Sequence, residues 1–374
     1  MRYYIIAGEA SGDLHGSNLM KELKISDREA EFRYWGGDLM QAEGGTLVQH
    51  ISGSSFMGFW EVVKNIGSVF ANMRRCRKDI AMYNPDAVIL IDYPGFNLRM
   101  AKFASGMGIK VFYYISPKVW AWNQSRVKKI KKYVDHMLTI LPFETEFYDQ
   151  FRYHTDYVGN PVIDAIESRA NREETFDEFN ERNGLSGKPL IAILAGSRMQ
   201  EIEKSLPPML SVTGYFPDYQ FVIAGAPSID LQVYQKHTQD KIPVLYNQTY
   251  AILEQSAAAM VVSGTATLEA ALLNVPIVVC YRGSGLSYHI AKRFIKVKYI
   301  SLVNLIMGRE VVKELIQNEF NTTNLRDELA RILVADSTDR KKMIDDMVQL
   351  RQLLGPAGAS GRAAGKIAEY LRSD

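Results

Sequence analysis

Between Met260 and Pro276 the chain reads MVVSGTATLEAALLNVP, a pattern suited to a phosphorylated ligand. Met260, Val261 and Val262 end an apolar strand. Ser263, Gly264 and Thr265 make a small turn, and Ala266 to Leu273 is rich in helix formers. A strand, a glycine-containing turn and a helix N-terminus leave backbone N–H groups pointing outward, where a phosphate can be held. Glu269 falls in the first turns of that helix, within reach of a ribose diol. The same pattern fits a plain βα unit whose Ser263 and Thr265 only cap the helix.

A second turn of this kind is LIAILAGSRMQEIEK. Gly196, Ser197 and Arg198 follow an apolar strand, so their N–H groups and the Arg198 fork could together hold a diphosphate. The same cation would neutralise a departing nucleoside diphosphate. In IDYPGFN, Asp92 stands at a strand's carboxyl end, where Pro94 and Gly95 stop continuation. A carboxylate there could take a proton from an attacking hydroxyl, or could simply cap the next helix. The GEASGD stretch near the start lacks the full glycine fingerprint of dinucleotide sites. Glu9 and Asp13 would repel a bare phosphate, so Glu9, Ser11, Gly12 and Asp13 are expected to meet sugar hydroxyls, if they do not merely cap a helix. Asn304, in YISLVNLIMGRE, could bond a sugar or base, or cap a turn.

One stretch suits a lipid surface. Phe56, Met57, Phe59, Trp60, Val63, Ile66, Phe70 and Met73 recur at helical spacing, followed by Arg74, Arg75, Arg77 and Lys78. An apolar stripe with a basic end fits a helix lying in a bilayer interface, although such stripes are more often core. A second basic run, Arg126, Lys128, Lys129, Lys131 and Lys132, follows the tryptophans of SPKVWAW; Lys292, Arg293, Lys296 and Lys298 form a third. These read as membrane- or phosphate-facing patches rather than nucleic-acid sites.

The elements that must position these residues alternate strand and helix throughout. Strands are expected at Arg2–Gly8, Glu31–Gly37, Ala87–Tyr93, Lys110–Ser116, His136–Leu141 and Asp156–Val158. A second series is expected at Leu190–Ala195, Gln220–Ala224, Pro243–Tyr246, Ala259–Val262, Ile277–Cys280 and Tyr299–Leu302. Their continuous apolar runs are those of strands buried on both faces of a parallel sheet. The polar segment 167–189 reads as a linker with a solvated helix. The 374 residues thus divide into two doubly wound, Rossmann-like α/β domains facing across a cleft, 1–166 and 167–354. Residues 355–374 then form a terminal helix that packs back on an N-terminal domain, its own or a partner's. Ligands are expected beyond the carboxyl ends of the strands.

A composition 47% hydrophobic and 23% charged is that of a globular enzyme with ample core, and a net charge of +2 says little about partners, so any basic surface must be local. Cys76 and Cys280 offer no disulfide framework, and no signal-peptide pattern opens the chain, so a cytoplasmic protein is expected. No apolar run approaches the ~20 residues of a spanning helix. HExxH, paired CxxC, DxD, GxSxG and a Walker lysine are all missing, which argues against a metal site, a hydrolase triad and a P-loop.

Taken in order, GEASGD, MQAEGG, FMGFWEV, PDAVILIDYPGFN, YYISPKVWAW, ILPFE, GNP, LAGSR-x-x-EI, SGTATLEAAL, YISLVNLI and GREVVKEL resemble the lipid-A-disaccharide synthases over nearly the whole length. That family makes a glycolipid of the Gram-negative outer membrane. The resemblance implies a GT-B fold and an inverting, metal-independent hexosyltransferase without a cofactor. Its donor would be UDP-2,3-diacylglucosamine and its acceptor 2,3-diacylglucosamine 1-phosphate, joined by a β-1,6 bond with loss of UDP. It further implies peripheral attachment to the inner membrane and leaves open a homodimer. By position it makes Asp92 the base for the acceptor 6-hydroxyl and puts Arg198 on the diphosphate. Ser263, Gly264, Thr265, Glu269 and Asn304 would surround the nucleotide sugar, with Glu9, Ser11 and Asp13 on the acceptor side. One departure is Gly95, where other members can carry an acidic residue in a PDFN run. A UDP-N-acetylglucosamine 2-epimerase and a non-catalytic nucleotide-sugar-binding module share the architecture and stand as alternatives.

Overall fold

A computed structural model of the chain describes residues 1–51, 66–169, 172–283 and 297–373. It divides into two units: Met1–Asp164 together with Pro356–Asp374, and Ala165–Gly355.

Among the described residues the first unit has a seven-stranded sheet of β1 (Arg2–Ala7), β2 (Glu31–Gly36), β3 (Thr46–His50), β4 (Ala87–Ile91), β5 (Lys110–Tyr114), β6 (His136–Thr139) and β7 (Asp156–Tyr157). The spatial order is β3-β2-β1-β4-β5-β6-β7 and every pairing is parallel. Central strands are apolar on both faces because helices cover both: AVILI of β4 is buried at every residue. Leu19, Met20 and Leu23 of helix Ala10–Ser26 and Ala363, Ala364 and Ile367 of helix Ala359–Ser373 pack on Tyr3, Ile5, Ile89 and Ile91. The opposite parity meets the other helices. The Trp35 ring lies 5.2 Å from Phe96 of helix Pro94–Gly106, and Cys76 of helix Ile66–Tyr83 touches the Tyr4 hydroxyl.

The terminal helix joins this unit through Asp164. Its carboxylate accepts from the amides of Gly358, Ala359 and Ser360 at 2.6, 3.2 and 3.0 Å, an N-terminal cap reached from across the fold. Arg362 adds a 2.8 Å bond to the Val158 carbonyl.

The second unit has, among the described residues, a six-stranded sheet of β8 (Leu190–Leu194), β9 (Gln220–Gly225), β10 (Val244–Tyr246), β11 (Ser256–Val262), β12 (Ile277–Tyr281) and β13 (Lys313–Ile316). Its order is β10-β9-β8-β11-β12-β13, again wholly parallel. The strand expected at Tyr299–Leu302 is absent: Ser301 caps helix Leu302–Met307, and the sheet is completed by KELI of β13. The segment read as solvated contributes a core residue. Thr175 and Glu178 form a capping box on helix Phe176–Asn183, and Phe179 of that helix is fully buried.

Candidate functional site

In each sheet the strand order reverses at one point, between β1 and β4 and between β8 and β11. Loops leaving the carboxyl ends diverge there, and the crevice between them is where open α/β sheets bind ligands. The register pairs Ala7 with Ile91 and Leu194 with Val261. The GEASGD and DYPGFN turns are therefore neighbours in the first unit, and the GSR and SGT turns in the second.

Asp92 is half-buried and sits directly beyond β4. Asp92 and Tyr93 both adopt left-handed backbone, with φ of 43° and 48°. Ile115, just beyond neighbouring β5, does the same at φ 67°, an uncommon conformation for a β-branched residue. Such strain collects where surrounding structure over-determines it. Here the Asp92 carbonyl accepts from the Tyr113 hydroxyl at 2.5 Å and from Asn97 Nδ2 at 2.8 Å. Gly8 is needed beside it, because a Cβ there would lie 2.4 Å from the Tyr93 ring. Gly95 is exposed, with open space around the position a Cβ would take.

The GEASGD residues divide. Glu9 is half-buried at the start of helix Ala10–Ser26 and Ser11 is exposed, so both are accessible. Gly12 packs its backbone close to the Ala7 side chain. Asp13 is 4% exposed, and its carboxylate accepts from Gly37 N at 2.7 Å, Leu39 N at 3.0 Å and Met40 N at 3.0 Å. These three amides open helix Asp38–Ala42, which Asp13 thereby caps from helix Ala10–Ser26.

In the second unit Gly196 has φ 115°, and a Cβ there would fall 2.7 Å from the side chain of Glu201. Ser197 N donates to Glu201 Oε2 at 3.1 Å, so a carboxylate in the next helix grips the turn. Arg198 reaches the other oxygen of Glu201 at 3.5 Å, both side chains being well exposed, so the contact holds the guanidinium only weakly. Across the switch point, Gly264 begins helix Thr265–Leu272 with no side-chain cap, and Thr265 is exposed. Ser263 donates its hydroxyl proton to the Ile300 carbonyl at 2.9 Å, so its hydroxyl has only oxygen lone pairs left to offer a ligand.

Glu269 is half-buried on that helix, and burial lifts its pKa from 4.5 to about 7 against a weak opposing bond from Tyr250 Oη, 3.4 Å away. A carboxylate so poorly solvated and so lightly paired is a candidate ligand group. Asn304 is held within the fold. It is 0% exposed; its Nδ2 donates to Val312 O and Glu314, and its Oδ1 accepts from Val311 N and Val312 N. No side-chain capacity is left for a sugar.

Tyr113, Glu201 and Tyr250 were not singled out by pattern. Glu201 alone leaves a trace, at the third helical position where carboxylates reach back to preceding amides. A further buried carboxyl, Glu144, has its pKa raised by burial from 4.5 to about 7; it accepts from Leu141 N, Trp120 Nε1 and Ile140 N. It thereby ties the SPKVWAW segment to the end of β6.

Of the residues expected to face a membrane, Phe56, Met57, Phe59, Trp60 and Val63 lie outside the described residues, as does the side chain of Ile66. On helix Ile66–Tyr83, Phe70 is 62% exposed, and Arg74, Arg77 and Lys78 are exposed too. Met73 is buried and belongs to the core. Among the described residues no helix is long and apolar enough to cross a membrane.

A family profile described as lipid-A-disaccharide synthetase matches residues 3–364. The chain is 37% identical over 378 aligned residues to a lipid-A-disaccharide synthase of Myxococcus xanthus, covering 99% of this chain and 97% of the relative. One from Trichlorobacter lovleyi is 36% identical, covering 98% and 96%. Among solved structures, a putative UDP-N-acetylglucosamine 2-epimerase from Listeria monocytogenes superposes with TM-score 0.67 at 14% identity, covering 100% of this chain and 97% of that one. The glycotransferase of kitacinnamycin gives 0.66 at 14%, covering 99% of each. At such identities the structural likeness speaks for the fold alone, the two-domain GT-B arrangement shared by glycosyltransferases and epimerases.

Proposed function

Because this chain belongs to the lipid-A-disaccharide synthase family, and is thus a glycosyltransferase of lipid A synthesis, we propose that it joins UDP-2,3-diacylglucosamine to 2,3-diacylglucosamine 1-phosphate with inversion and without a metal. The acceptor 6-hydroxyl oxygen attacks the anomeric carbon, the bond from that carbon to the diphosphate oxygen breaks, and UDP leaves with the bonding pair. The proton of the hydroxyl passes to Asp92, which serves as general base. On the donor, the Gly196 amide, the Arg198 guanidinium and the opening of helix Thr265–Leu272 take the diphosphate charge, with Ser197 N kept on Glu201. Glu269 accepts from the ribose hydroxyls. Glu9 and Ser11 meet the acceptor sugar.

The observation that carries this reading is the strained pair Asp92–Tyr93 at the switch point of the first sheet. A fold that needed only a helix cap has no use for two consecutive left-handed residues at a strand end. Because both substrates keep their acyl chains in a bilayer, Phe70 with Arg74 and Lys78 is read as part of a surface that rests on the inner membrane.

Incubation of purified protein with the two lipid substrates should yield UDP and a disaccharide lipid in equal amounts, resolved by thin-layer chromatography. Conversion of UDP-N-acetylglucosamine to an epimer with no lipid acceptor, and no disaccharide, would overturn the reading in favour of an epimerase.

A further inference from the structure

The loop before helix Leu302–Met307 is clamped from two sides through one residue. The Ile300 carbonyl accepts the Ser263 hydroxyl at 2.9 Å, and the Ile300 amide donates to the Glu314 carboxylate at 3.0 Å to Oε2 and 3.2 Å to Oε1. Glu314 is 8% exposed, on β13. Its Oε1 also accepts from Ser301 N at 2.9 Å, Ser301 Oγ at 2.7 Å and Asn304 Nδ2 at 2.9 Å. A carboxylate is costly to bury, and here the cost is offset by donors from this loop and from the first turn of the helix it enters. The other end of the chain of bonds is the nucleotide turn. Ser263 N donates to Cys280 O at 3.0 Å, so the turn is held by the sheet on one side and by the Ile300 carbonyl on the other.

We infer that Glu314 is a positioning residue of the nucleotide site: by fixing the Ile300 and Ser301 amides it holds the Ile300 carbonyl on Ser263, and so sets the Ser263–Thr265 turn that opens helix Thr265–Leu272. The inference rests on the reading of that turn as a UDP site. Glu314 touches no substrate; it acts through Ile300 and Ser263. Asn304 completes the clamp, since its amide nitrogen is one of the four donors to Glu314 and its oxygen holds the amides of Val311 and Val312, which lead into β13. Loss of donor binding on replacing Asn304 would then follow from a displaced loop.

The test compares UDP binding by calorimetry in the full chain, Glu314→Gln, Ser263→Ala and the double variant. Gln keeps the shape but loses the charge and puts a donor where amides must be accepted. Glu314→Gln should weaken UDP by about tenfold, the loss of one charge-assisted hydrogen bond's effect, and raise KM for the donor while KM for the acceptor stays put. In the Ser263→Ala background the further loss should shrink to within about twofold, as expected for residues in one chain of contacts. A Glu314→Gln variant that melts lower but binds UDP as tightly as wild type would reduce Glu314 to a fold residue and overturn the inference. Equal losses with and without the Ser263 hydroxyl would overturn the route through Ile300. Should Glu314→Gln fail to fold, Ser263→Ala alone decides, because undiminished UDP binding in it removes the link. Wild-type protein that binds no UDP would instead sink the functional reading beneath.

Discussion

The hydroxyl of Tyr113, the penultimate residue of β5, donates a 2.5 Å hydrogen bond to the main-chain oxygen of Asp92 beyond β4. Tyr113 is fully buried, and burial together with the nearby Asp92 charge holds its phenol far above the usual range, so it remains a donor at all working pH values. Left-handed backbone at Asp92 and Tyr93 costs about 1–3 kcal/mol each. The bonds from Tyr113 and Asn97 offset part of it. Tyr113→Phe should therefore destabilise the protein by about 1–2 kcal/mol in denaturant unfolding. Turnover should fall while UDP affinity stays near wild type. Full activity in that variant would show that the turn stands without Tyr113.

Glu269 provides a pH signature. Its folded pKa of about 7 lies above the ordinary 4.5, so the unfolded chain gives up this proton first as pH rises. Stability relative to Glu269→Gln is therefore greatest below pH 4.5, declines between pH 4.5 and 7, and is level above, with a ceiling of about 3 kcal/mol. Ligand binding runs the other way, because ribose hydroxyls donate to the ionised form. UDP affinity should rise by up to roughly tenfold from pH 6 to pH 8 in wild type, a rise that calorimetry should find missing in Glu269→Gln. A variant with the same pH dependence as wild type would remove Glu269 from the site.

The turn proposed for the diphosphate is built on a glycine at positive φ. At Gly196, φ is 115° and an added Cβ meets Glu201 at 2.7 Å. Gly196→Ala should cost about 1–3 kcal/mol of stability and weaken UDP binding along with it. Arg198→Ala should lower both UDP affinity and rate. Unchanged UDP binding in Arg198→Ala would remove the guanidinium from the diphosphate.

Association with bilayers should depend on both charge and apolar area. Phe70→Ser combined with Arg74→Glu and Lys78→Glu should reduce flotation with anionic vesicles, each cation contributing about 1 kcal/mol at low salt. Added salt should weaken the wild type towards the variant. Flotation that survives these changes, and Phe59→Ser with Trp60→Ser as well, would remove the stripe from the membrane-facing surface.

Strands such as β4 and β8 were legible because unbroken apolar runs closed by Gly, Pro or Ser turns have few other readings. The edge strand β3, TLVQH, escaped because it is half-buried with mixed polarity. For β13 the misleading residue was Glu314: a charged residue in KELI reads as surface, whereas its carboxylate is buried on the amides of Ile300 and Ser301. The switch-point turns could be found by their punctuation. Their supports could not, because Tyr113 meets Asp92 and Tyr250 meets Glu269 only through the sheet order. Asp13 and Asn304, both on helices, have their side chains taken up by backbone amides, because a short polar side chain satisfies such amides as well as it satisfies a sugar.

Asp92→Asn tests the account most directly. Asparagine keeps the size and backbone preference of the residue but cannot take up a proton. Measured on one preparation, UDP binding should stay close to wild type while the rate of disaccharide formation falls by about 10²–10⁴-fold. Disaccharide formation at near-wild-type rate would contradict the assignment of Asp92 as the base.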